Sequence, residues 1–229
     1  MIATDGWSRF NIWEHSAAVR DLYARRCRRE MATMVSHSQA ARLLLPHVSA
    51  GDTLLDAGCG SGYFHHALTD HGVPATYYGI DAARPLLDIG REILPSYGLP
   101  ADRLIELRIE DMAAEVDHAV CINVLSNIDN FHRPLERLLL AARKTVVLRE
   151  SIDVCASYSY VEDRYLDPGV ALKVYVNTYG RATIQAFIES YGYHVTFETD
   201  DYTNGEPQMV IDHPHRWTFV LATRAGKGK

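Results

Sequence analysis

The chain has 229 residues, of which 47% are hydrophobic and 23% are charged, and its formal net charge is −6. This length and composition indicate a globular protein with one sizeable core and room for one appended element. The negative charge disfavours a large surface for nucleic-acid phosphates, and no apolar run approaches the roughly 18 residues of a membrane-spanning helix.

The predicted elements alternate along the chain. Residues 14–48 are rich in helix formers and contain no glycine or proline before Pro46, which predicts a helical N-terminal region. The segments after it predict strands at 52–57, 75–81, 103–110, 118–125, 144–150, 193–199 and 215–223, and helices at 62–72, 83–94, 133–143 and 181–192. This alternation predicts a doubly wound α/β fold, a seven-stranded and mostly parallel sheet with helices on both faces.

The segment LLDAGCGSGYF, residues 54–64, joins the first predicted strand to the helix after it. Gly58, Gly60 and Gly62 allow a tight turn and let a ligand approach the backbone closely, because no Cβ stands in the way. Ligands of doubly wound sheets bind beyond the carboxyl ends of the strands, which is where this loop falls. We therefore interpret the loop as part of a binding site rather than as a plain turn.

The spacing of this loop separates two classes of cofactor. A dinucleotide-binding loop has the spacing GxGxxG, but Tyr63 stands at the third glycine position, which disfavours a nicotinamide oxidoreductase. Asp56 would repel a pyrophosphate and suits a ligand with a positive amino group. The pattern DxGxGxG resembles the S-adenosylmethionine-binding motif of class I methyltransferases. The resemblance implies that Asp56 helps to hold the methionine end of the cofactor and that Cys59 shapes the loop beneath it.

Two later segments match the same family in order. In YYGIDAA, Asp81 ends the second strand, and its carboxylate can accept hydrogen bonds from both ribose hydroxyls. The same side chain can also cap the following helix, and the two roles need not conflict. In RIEDMA, the resemblance implies that an acid binds the adenine amino group. Asp111 and Met112 are expected there, with Glu110 as the alternative register, and Ala82 is expected beside the cofactor after Asp81.

The segment VDHAVCINVLSNID resembles the fourth strand of the family and the loop after it. Asn123 ends this strand and is expected to lie beside the cofactor. The resemblance covers residues 40–150 well and extends to the last two strands by pattern only, which implies an antiparallel last strand. It divides the chain into an N-terminal helical arm (1–39), a cofactor-binding core (40–150), a substrate-cap insertion (151–180) and the C-terminal part of the sheet (181–229).

Methyl transfer from a sulfonium depends mainly on in-line positioning, and a base is needed only when the acceptor must lose a proton. Three candidates are expected at the carboxyl-end face: Glu150 after the fifth strand, His132 beyond the fourth, and His215 before the last. Each also has an ordinary interpretation as a loop-edge acid or a helix-flanking histidine. The histidine that the family often has after the fourth strand is replaced here by Asn127, so that base has no counterpart.

Two segments at the edges of the core are candidates for acceptor binding. Trp7, Phe10 and Trp13 precede the first helix, where they form either a lid or a packed N-terminal arm. The insertion at 151–180 is long for a compact domain and is interpreted as a substrate cap, or else as a structural extension or subunit contact. Its five tyrosines are Tyr158, Tyr160, Tyr165, Tyr175 and Tyr179.

A run of arginines lies on the first predicted helix. Its members are Arg20, Arg25, Arg26, Arg28 and Arg29. Such a run is usually a solvated face. The alternative is that one arginine lies near the cofactor carboxylate or an anionic part of the substrate.

The four cysteines are scattered and lack the CxxC spacing of metal sites, which is typical of reduced thiols in the cytosol. The first ten residues carry no signal-peptide pattern. We therefore predict a cytoplasmic, metal-independent methyltransferase that uses S-adenosylmethionine, releases S-adenosylhomocysteine and methylates a small molecule, at oxygen rather than nitrogen. No membrane or nucleic-acid partner is expected. The alternatives are an RNA or protein methyltransferase and a non-catalytic subunit that binds the cofactor.

Overall fold

The computed structural model of the chain describes Gly6 and residues 8–224, so Trp7 of the predicted lid lies outside the described residues. The α-helices are α1 Ala17–Cys27, α2 Val35–Leu44, α3 Phe64–Asp70, α4 Arg84–Ile93, α5 His132–Ala141 and α6 Arg181–Ser190. The strands are β1 Thr53–Ala57, β2 Thr76–Asp81, β3 Leu104–Glu106, β4 Val116–Ile122, β5 Ala142–Asp153, β6 Tyr160–Glu162, β7 Lys173–Tyr175, β8 Tyr179–Gly180, β9 Tyr193–Thr199, β10 Gln208–Val210, β11 His213–His215 and β12 Trp217–Arg224.

The main sheet has the strand order β3-β2-β1-β4-β5-β12-β9, and the short β8 pairs with the end of β5. Neighbouring strands from β3 to β5 are parallel, whereas β12 is antiparallel to both β5 and β9. The predicted seven-stranded, mostly parallel sheet with an antiparallel last strand is confirmed. The strand order reverses at β1, which lies between β2 and β4. Such a reversal opens a crevice at the carboxyl ends of the strands.

Helices cover both faces of the sheet and enclose two apolar cores. On one face, Leu135 of α5 and Ile188 of α6 are fully buried against β4 and β5. On the other face, Leu44 of α2 and Phe64 of α3 pack on β1 and β4. Within the described residues, no helix has both the length and the hydropathy needed to cross a bilayer.

The N-terminal helical region is divided into two helices. After α1, Arg29 takes a left-handed conformation with φ 57°, which an α-helix cannot contain. The interruption lets α1 pack on α4 while α2 packs on α3 and β5. Helix α1 also has its own N-cap, because the Ser16 side chain accepts from the N–H of Val19 at 3.3 Å.

Several boundaries differ from the sequence prediction, among them the end of the fourth strand, which was predicted at residue 125 and lies at Ile122. Strand β3 ends at Glu106, because residues 109–111 form a 3₁₀ turn instead of continuing the sheet. Strand β5 extends to Asp153 and passes the end of β4, where it pairs with β12 and β8. His215 belongs to a separate hairpin, β10–β11, and the last strand begins only at Trp217.

A carboxylate at the amino ends of the strands ties β1 to β4 and β5. Asp52, just before β1, accepts from Lys144 Nζ at 2.5 Å and from the N–H of Ser49 at 2.8 Å. Its other contact is the Nε2 atom of buried His118, at 3.0 Å. The hydrogen bond from Lys144, followed by that from Ser49, holds the pKa of Asp52 well below its usual range.

We expect the Asp52→Asn variant to lose about 1–3 kcal/mol of unfolding free energy at pH 7, because these partners lose a charged acceptor. The pKa of Asp52 is lower in the folded protein than in the unfolded chain, where it is about 3.9. The wild type therefore loses this stabilisation as the pH falls below about 4, and the gap between the two proteins should narrow there. Thermal unfolding at several pH values measures the gap, with exposed Asp102→Asn as control. A gap that stays constant into acid would contradict the assignment.

Candidate functional site

The loop between β1 and α3 turns at three glycines with positive φ angles. The φ values of Gly58, Gly60 and Gly62 are 76°, 57° and 78°, a region that residues with a Cβ rarely enter. The N–H groups of Gly58 and Cys59 donate to the carbonyl oxygen of Ile80 in β2, at 2.8 and 3.0 Å. The glycine loop, residues 58–62, is thus tied to the neighbouring strand at the crevice where the sequence predicts the cofactor.

Two side chains from other elements press against the glycine loop. A Cβ at Gly58 would lie 2.3 Å from a methyl group of Val124, which follows β4. A Cβ at Gly60 would lie 2.3 Å from the ring of Tyr23 in α1. Both distances are shorter than real Cβ contacts, so the loop needs glycine for packing as well as for its turn.

Asp81 ends β2 as predicted, and its carboxylate has two backbone partners. It accepts from the N–H of Gly60 and from the N–H of Ala83, both at 2.7 Å. The N-cap position of α4 is Ala83, so Asp81 stabilises the turn before the helix, which also contains Ala82, and braces the glycine loop. Burial raises the pKa of Asp81. Both oxygens of Asp81 thus accept from the protein backbone, as the helix-capping interpretation expects, and the ribose contact stays a prediction.

Asp56 is buried at the end of β1 and accepts a hydrogen bond from the hydroxyl of Tyr77 at 2.7 Å. Burial raises the pKa of Asp56 to about 7. A cation bound beside a carboxyl group stabilises its ionised form and lowers the pKa again. This environment is compatible with the positive amino group that the sequence analysis expects near Asp56.

The predicted adenine-binding residues follow β3 in a 3₁₀ turn. Glu110 is half-buried and accepts from Arg108, whereas Asp111 is exposed. Met112 is buried in the core on the side of α5. The turn therefore holds the carboxylates of both alternative adenine-binding residues, Glu110 and Asp111. The buried Met112 side chain anchors the backbone that follows them.

Asn123 follows β4 directly and has a left-handed backbone with φ 59°. Its N–H donates to the carbonyl of Arg149 at 2.8 Å, and its Oδ1 accepts from the Arg149 guanidinium at 2.6 Å. Arg149 is itself buried and forms an ion pair with buried Asp200 at 2.6 Å. A left-handed residue other than glycine persists only when its surroundings hold it. Here Arg149 of β5 holds it, at the position predicted to lie beside the cofactor.

Glu150 does not present a free carboxylate to the crevice, as a base would. It is 2% exposed, and its oxygens accept four hydrogen bonds of 2.8–3.0 Å from the backbone of residues 124–126 and the hydroxyl of Ser126. Burial raises the pKa of Glu150 to about 6. All its acceptor capacity serves the protein, so this geometry favours a positioning role over the predicted catalytic one.

The two predicted histidines differ in environment. His132 lies exposed in the first turn of α5, stacks on Phe131 and contacts the Oδ1 of Asn130 at 2.7 Å, as the helix-flanking interpretation expects. His215 is fully buried beside Trp217, at 5.0 Å between ring centroids. Its Nε2 atom has no hydrogen-bond partner among the described residues. Burial lowers the pKa of His215 and favours its neutral form.

One of the five arginines of the α1 region turns inward. Arg26 is half-buried and donates to the hydroxyl of Tyr63 at 2.7 Å and to the sulfur of Met34. Arg29 instead forms a surface ion pair with Asp70 at 2.9 Å. Arg26 is thus the member whose surroundings fit the alternative of a site arginine. The described residues contain no group of three or more His, Cys, Asp or Glu side chains that could hold a metal ion.

The N-terminal arm packs against the insertion. Ile12 is buried together with Val174 and Val176, and half-buried Trp13 contacts the same cluster. Phe10 is 71% exposed. The hairpin β10–β11 joins this third apolar cluster through its turn. We call the combined structure the cap: residues 8–16, 154–178 and 208–215.

Polar contacts fix the cap to the start of α1. Asp167 of the insertion accepts from the N–H of Ala17 at 2.7 Å and pairs with Arg20 at 3.4 Å. The hydroxyl of Ser16 donates to the carbonyl of Tyr165 at 3.0 Å. Because α1 carries the Tyr23 ring onto Gly60, these contacts link the insertion to the helix that covers the glycine loop.

The five tyrosines of the insertion divide into three groups. Tyr179 is buried and donates to a carbonyl in the loop after β4, so it belongs to the core. Tyr160 and Tyr175 stack with ring centroids 4.4 Å apart. Tyr158 and Tyr165 are 62% and 64% exposed. The surface of the insertion therefore offers aromatic groups with hydroxyl tips, which suit a ring-bearing or hydroxylated ligand.

Three residues around the glycine loop and Asn123 could not be predicted from the sequence. Tyr23 looks like an ordinary residue of a helix, although it covers Gly60. Arg149 lies in the apolar strand β5, next to the candidate base Glu150. Its ion-pair partner Asp200 is 51 positions away in the chain and directly follows β9. A charged residue inside the run TVVLRE is the one available signal, since a strand buried on both faces rarely holds an unpaired charge.

Residues 55–147 match a family model described as a methyltransferase domain. A search of curated proteins found no match. The chain is similar in structure to magnesium protoporphyrin IX methyltransferase from Synechocystis PCC 6803 with bound S-adenosylmethionine, at 16% identity and a TM-score of 0.57 over 97% of this chain and 92% of that chain.

Two further solved structures are similar over nearly their full length. An S-adenosylmethionine-dependent methyltransferase from Clostridium acetobutylicum has 13% identity and a TM-score of 0.61, covering 90% of this chain and 97% of that one. The CcbJ methyltransferase from Streptomyces caelestis has 12% identity and a TM-score of 0.59, covering 93% and 98%. At these identities the likeness establishes the fold.

Proposed function

We propose that this chain is a class I S-adenosylmethionine-dependent methyltransferase that methylates a small molecule at an oxygen atom. The proposal is supported by the match of residues 55–147 to a methyltransferase domain and by the fold shared with a methyltransferase solved with S-adenosylmethionine and with S-adenosylhomocysteine. The cofactor roles follow the sequence analysis: Asp56 toward the methionine end, the glycine loop beneath it, Asp81 and Ala82 at the ribose, and Asp111 and Met112, or Glu110, at the adenine. Asn123 lies beside the cofactor in this proposal. We propose a cytoplasmic location.

The cap is the observation that carries the small-molecule proposal. Its three segments share one apolar cluster, and the segment 154–178 is bonded both to α1, which covers the glycine loop, and to the loop after β4. An acceptor must therefore reach the carboxyl ends of β4 and β5 past a built cover. Such a cover suits a ligand that fits beneath it, whereas an RNA or a folded protein needs an open surface. Neighbours of similar fold include a magnesium protoporphyrin IX methyltransferase and a glycopeptide N-methyltransferase.

His215 supports oxygen as the acceptor atom. A hydroxyl acceptor must lose a proton, and a neutral histidine with a free ring nitrogen can take it. His215 offers this nitrogen, and it lies beside the end of β5, because the N–H of Ile152 donates to the carbonyl of Arg216 at 3.0 Å. Trp217 lies between His215 and the Arg149 guanidinium, which is 4.7 Å from the Trp217 ring centroid. Of the three predicted bases, we retain His215 for its unpartnered nitrogen. Because the ring is fully buried, this role requires the hairpin β10–β11 to move so that the acceptor reaches Nε2.

The proposal is tested by incubating the protein with methyl-labelled S-adenosylmethionine and fractionated metabolites. Transfer replaces a proton by a methyl group, so the acceptor gains the mass of one CH₂ unit. We expect labelled product in a small-molecule fraction, with the label stable to the conditions that remove N-methyl groups selectively. Label in RNA or protein would favour the first alternative. Tight cofactor binding without turnover in any extract would favour a regulatory subunit.

Replacing Tyr158 and Tyr160 together by alanine should impair the acceptor rather than the cofactor. The insertion reaches the loop after β4 through the carbonyl of Tyr175 and the side chain of Asn177. Changes at Tyr158 and Tyr160 therefore leave those bonds in place. Sites without shared partners usually act independently. We expect a higher KM for the acceptor or a lower kcat, with nearly unchanged affinity for S-adenosylhomocysteine. Calorimetry and steady-state kinetics with the labelled acceptor measure both quantities.

Tyr202→Ala is the matched control, because Tyr202 is a similarly exposed tyrosine, at 60%, outside the insertion. It should leave both quantities unchanged. If the double variant instead loses cofactor affinity while acceptor kinetics survive, the insertion belongs to the cofactor site and the division of the crevice is wrong.

A further inference from the structure

The loop after β4, residues 123–128, is held by two consecutive residues of β5. Arg149 binds the side chain of Asn123 at 2.6 Å, and Glu150 accepts from the three backbone N–H groups that follow. Successive side chains of a strand point to opposite faces of a sheet, so the loop is gripped from both faces. We call residues 123–128 the β4 loop.

Each carboxylate oxygen of Glu150 accepts two hydrogen bonds from the β4 loop. One carboxylate oxygen accepts from the N–H groups of Val124 and Leu125, at 3.0 and 2.9 Å, and the other accepts from the N–H and the hydroxyl of Ser126, both at 2.8 Å. The Ser126 hydroxyl in turn accepts from the N–H of Ser151 at 3.0 Å. Hydrogen bonds to a charged group are the strong ones, and breaking them here would leave buried N–H groups unpaired.

On one side, the β4 loop touches the cofactor-binding loop. Val124 packs so closely on Gly58 that a Cβ there would lie 2.3 Å from one of its methyl groups. Asn123 occupies the position proposed to lie beside the cofactor. Any shift of the β4 loop is therefore transmitted directly to the glycine loop, and the reverse holds too.

On its other side, the β4 loop is bonded to the insertion. The N–H of Asn177 donates to the carbonyl of Ser126 at 2.9 Å, and the Asn177 side chain donates to the carbonyl of Ile128 at 2.7 Å. The side chain of Asn127 donates to the carbonyl of Tyr175 at 3.1 Å. The part of the insertion that contains β7 is thus hydrogen-bonded to the same loop that contacts the proposed cofactor site.

We propose that Glu150 is a positioning residue that fastens the β4 loop as a link between the cofactor site and the insertion, so that binding of the cofactor orders the proposed substrate cap. The inference rests on the proposed function of that insertion. Coupling between sites travels through packed and hydrogen-bonded contacts with a defined arrangement, and here each contact is identified. Loss of the Glu150 carboxylate removes the bonds that hold residues 124–126 to β5, while Arg149 still holds Asn123 and the contacts with the glycine loop and the insertion stay in place.

The test uses S-adenosylhomocysteine as the probe, so it needs no acceptor. Hydrogen exchange by mass spectrometry follows residues 56–64 and 157–178, and calorimetry gives the affinity. In the wild type, we expect the probe to slow exchange in both segments. In Glu150→Gln, we expect about ten-fold weaker binding or more. At saturating probe, exchange should be slowed at 56–64 but no longer at 157–178.

Glu198→Gln is the control, because Glu198 is an exposed glutamate on β9, and it should behave as the wild type. Asn127→Ala supplies a second route if Glu150→Gln does not fold. It removes the bond to Tyr175 without touching Glu150. Because coupling between two sites is reciprocal, it should lower the affinity for the probe by less than Glu150→Gln does and lose part of the slowed exchange at 157–178. Wild-type-like exchange in both variants would overturn the proposal. A wild type that fails to bind the probe would instead overturn the methyltransferase assignment.

Discussion

Replacing Gly90 by alanine is expected to destabilise the protein and to weaken cofactor binding together. Gly90 lies in α4 where the helix crosses the glycine loop, and a Cβ there would lie 2.0 Å from the carbonyl oxygen of Ser61. Overpacking costs about 1–3 kcal/mol, and sometimes more. Alanine is otherwise favoured over glycine in a helix by roughly 1 kcal/mol. We expect the steric cost to win, because the opposing atom is backbone and cannot rotate away.

The second effect follows from which backbone is displaced. Ser61 stands between Gly60 and Gly62, so relief of the clash moves the loop beneath the cofactor. We expect the affinity for S-adenosylhomocysteine to fall by about ten-fold, equivalent to roughly 1.4 kcal/mol. Thermal unfolding and calorimetry measure the two effects. Glu92→Ala, an exposed change in the same helix, is the control. A higher melting temperature with unchanged affinity would show that α4 itself moves.

Replacing Asp81 by alanine should weaken binding of S-adenosylhomocysteine by roughly ten- to hundred-fold, since a charged hydrogen-bond acceptor contributes about 1.5–3 kcal/mol. The structure adds a second cause. The carboxylate also accepts from the N–H groups of Gly60 and Ala83, so its removal loosens the glycine loop. A single affinity measurement would not separate the ribose contact from this bracing.

An analogue of S-adenosylhomocysteine without the ribose hydroxyls separates the two causes. If Asp81 binds the hydroxyls, the analogue should bind weakly to the wild type. Asp81→Ala should then lower the affinity for the analogue much less than the affinity for S-adenosylhomocysteine. Equal losses for both ligands would mean that Asp81 only braces the loop and that the proposed cofactor pose is wrong. Asp88→Ala, at an exposed aspartate of α4, should change neither affinity.

Features that depend on the spacing of nearby residues could be predicted from the sequence. The glycines at alternate positions after an apolar strand predict the turn, because each needs a φ angle that other residues avoid. All three have positive φ, and Asp81 lies next to them through its bond to Gly60. The order of strands and helices could be predicted for the same reason. The spacing of apolar residues indicates the type of each element, and glycine and proline mark its ends, all within a few residues.

The roles of buried polar groups could not be predicted in this way. Glu150 was interpreted as a base because it ends a strand at the carboxyl-end face. The sequence contains no sign that four donors would surround it, since they come from residues 124–126 across the sheet. The position of His215 in a separate hairpin could not be predicted either. The chain turns before β12, and long-range packing against Trp217 then buries the ring.

By itself, the sequence predicted the α/β fold and the turn of the glycine loop, and it carries the match of residues 55–147 to a methyltransferase domain, because each depends on residue types at short and fixed separations. The tertiary structure decided which side chains cover that loop, which carboxylates are free and how the cap is assembled. Tyr23, Arg149 and Gly90 acquire their roles from contacts with residues distant in the chain. A buried charge or a close backbone contact is stable only with its partner in place, and that partner is chosen by packing rather than by the neighbouring sequence.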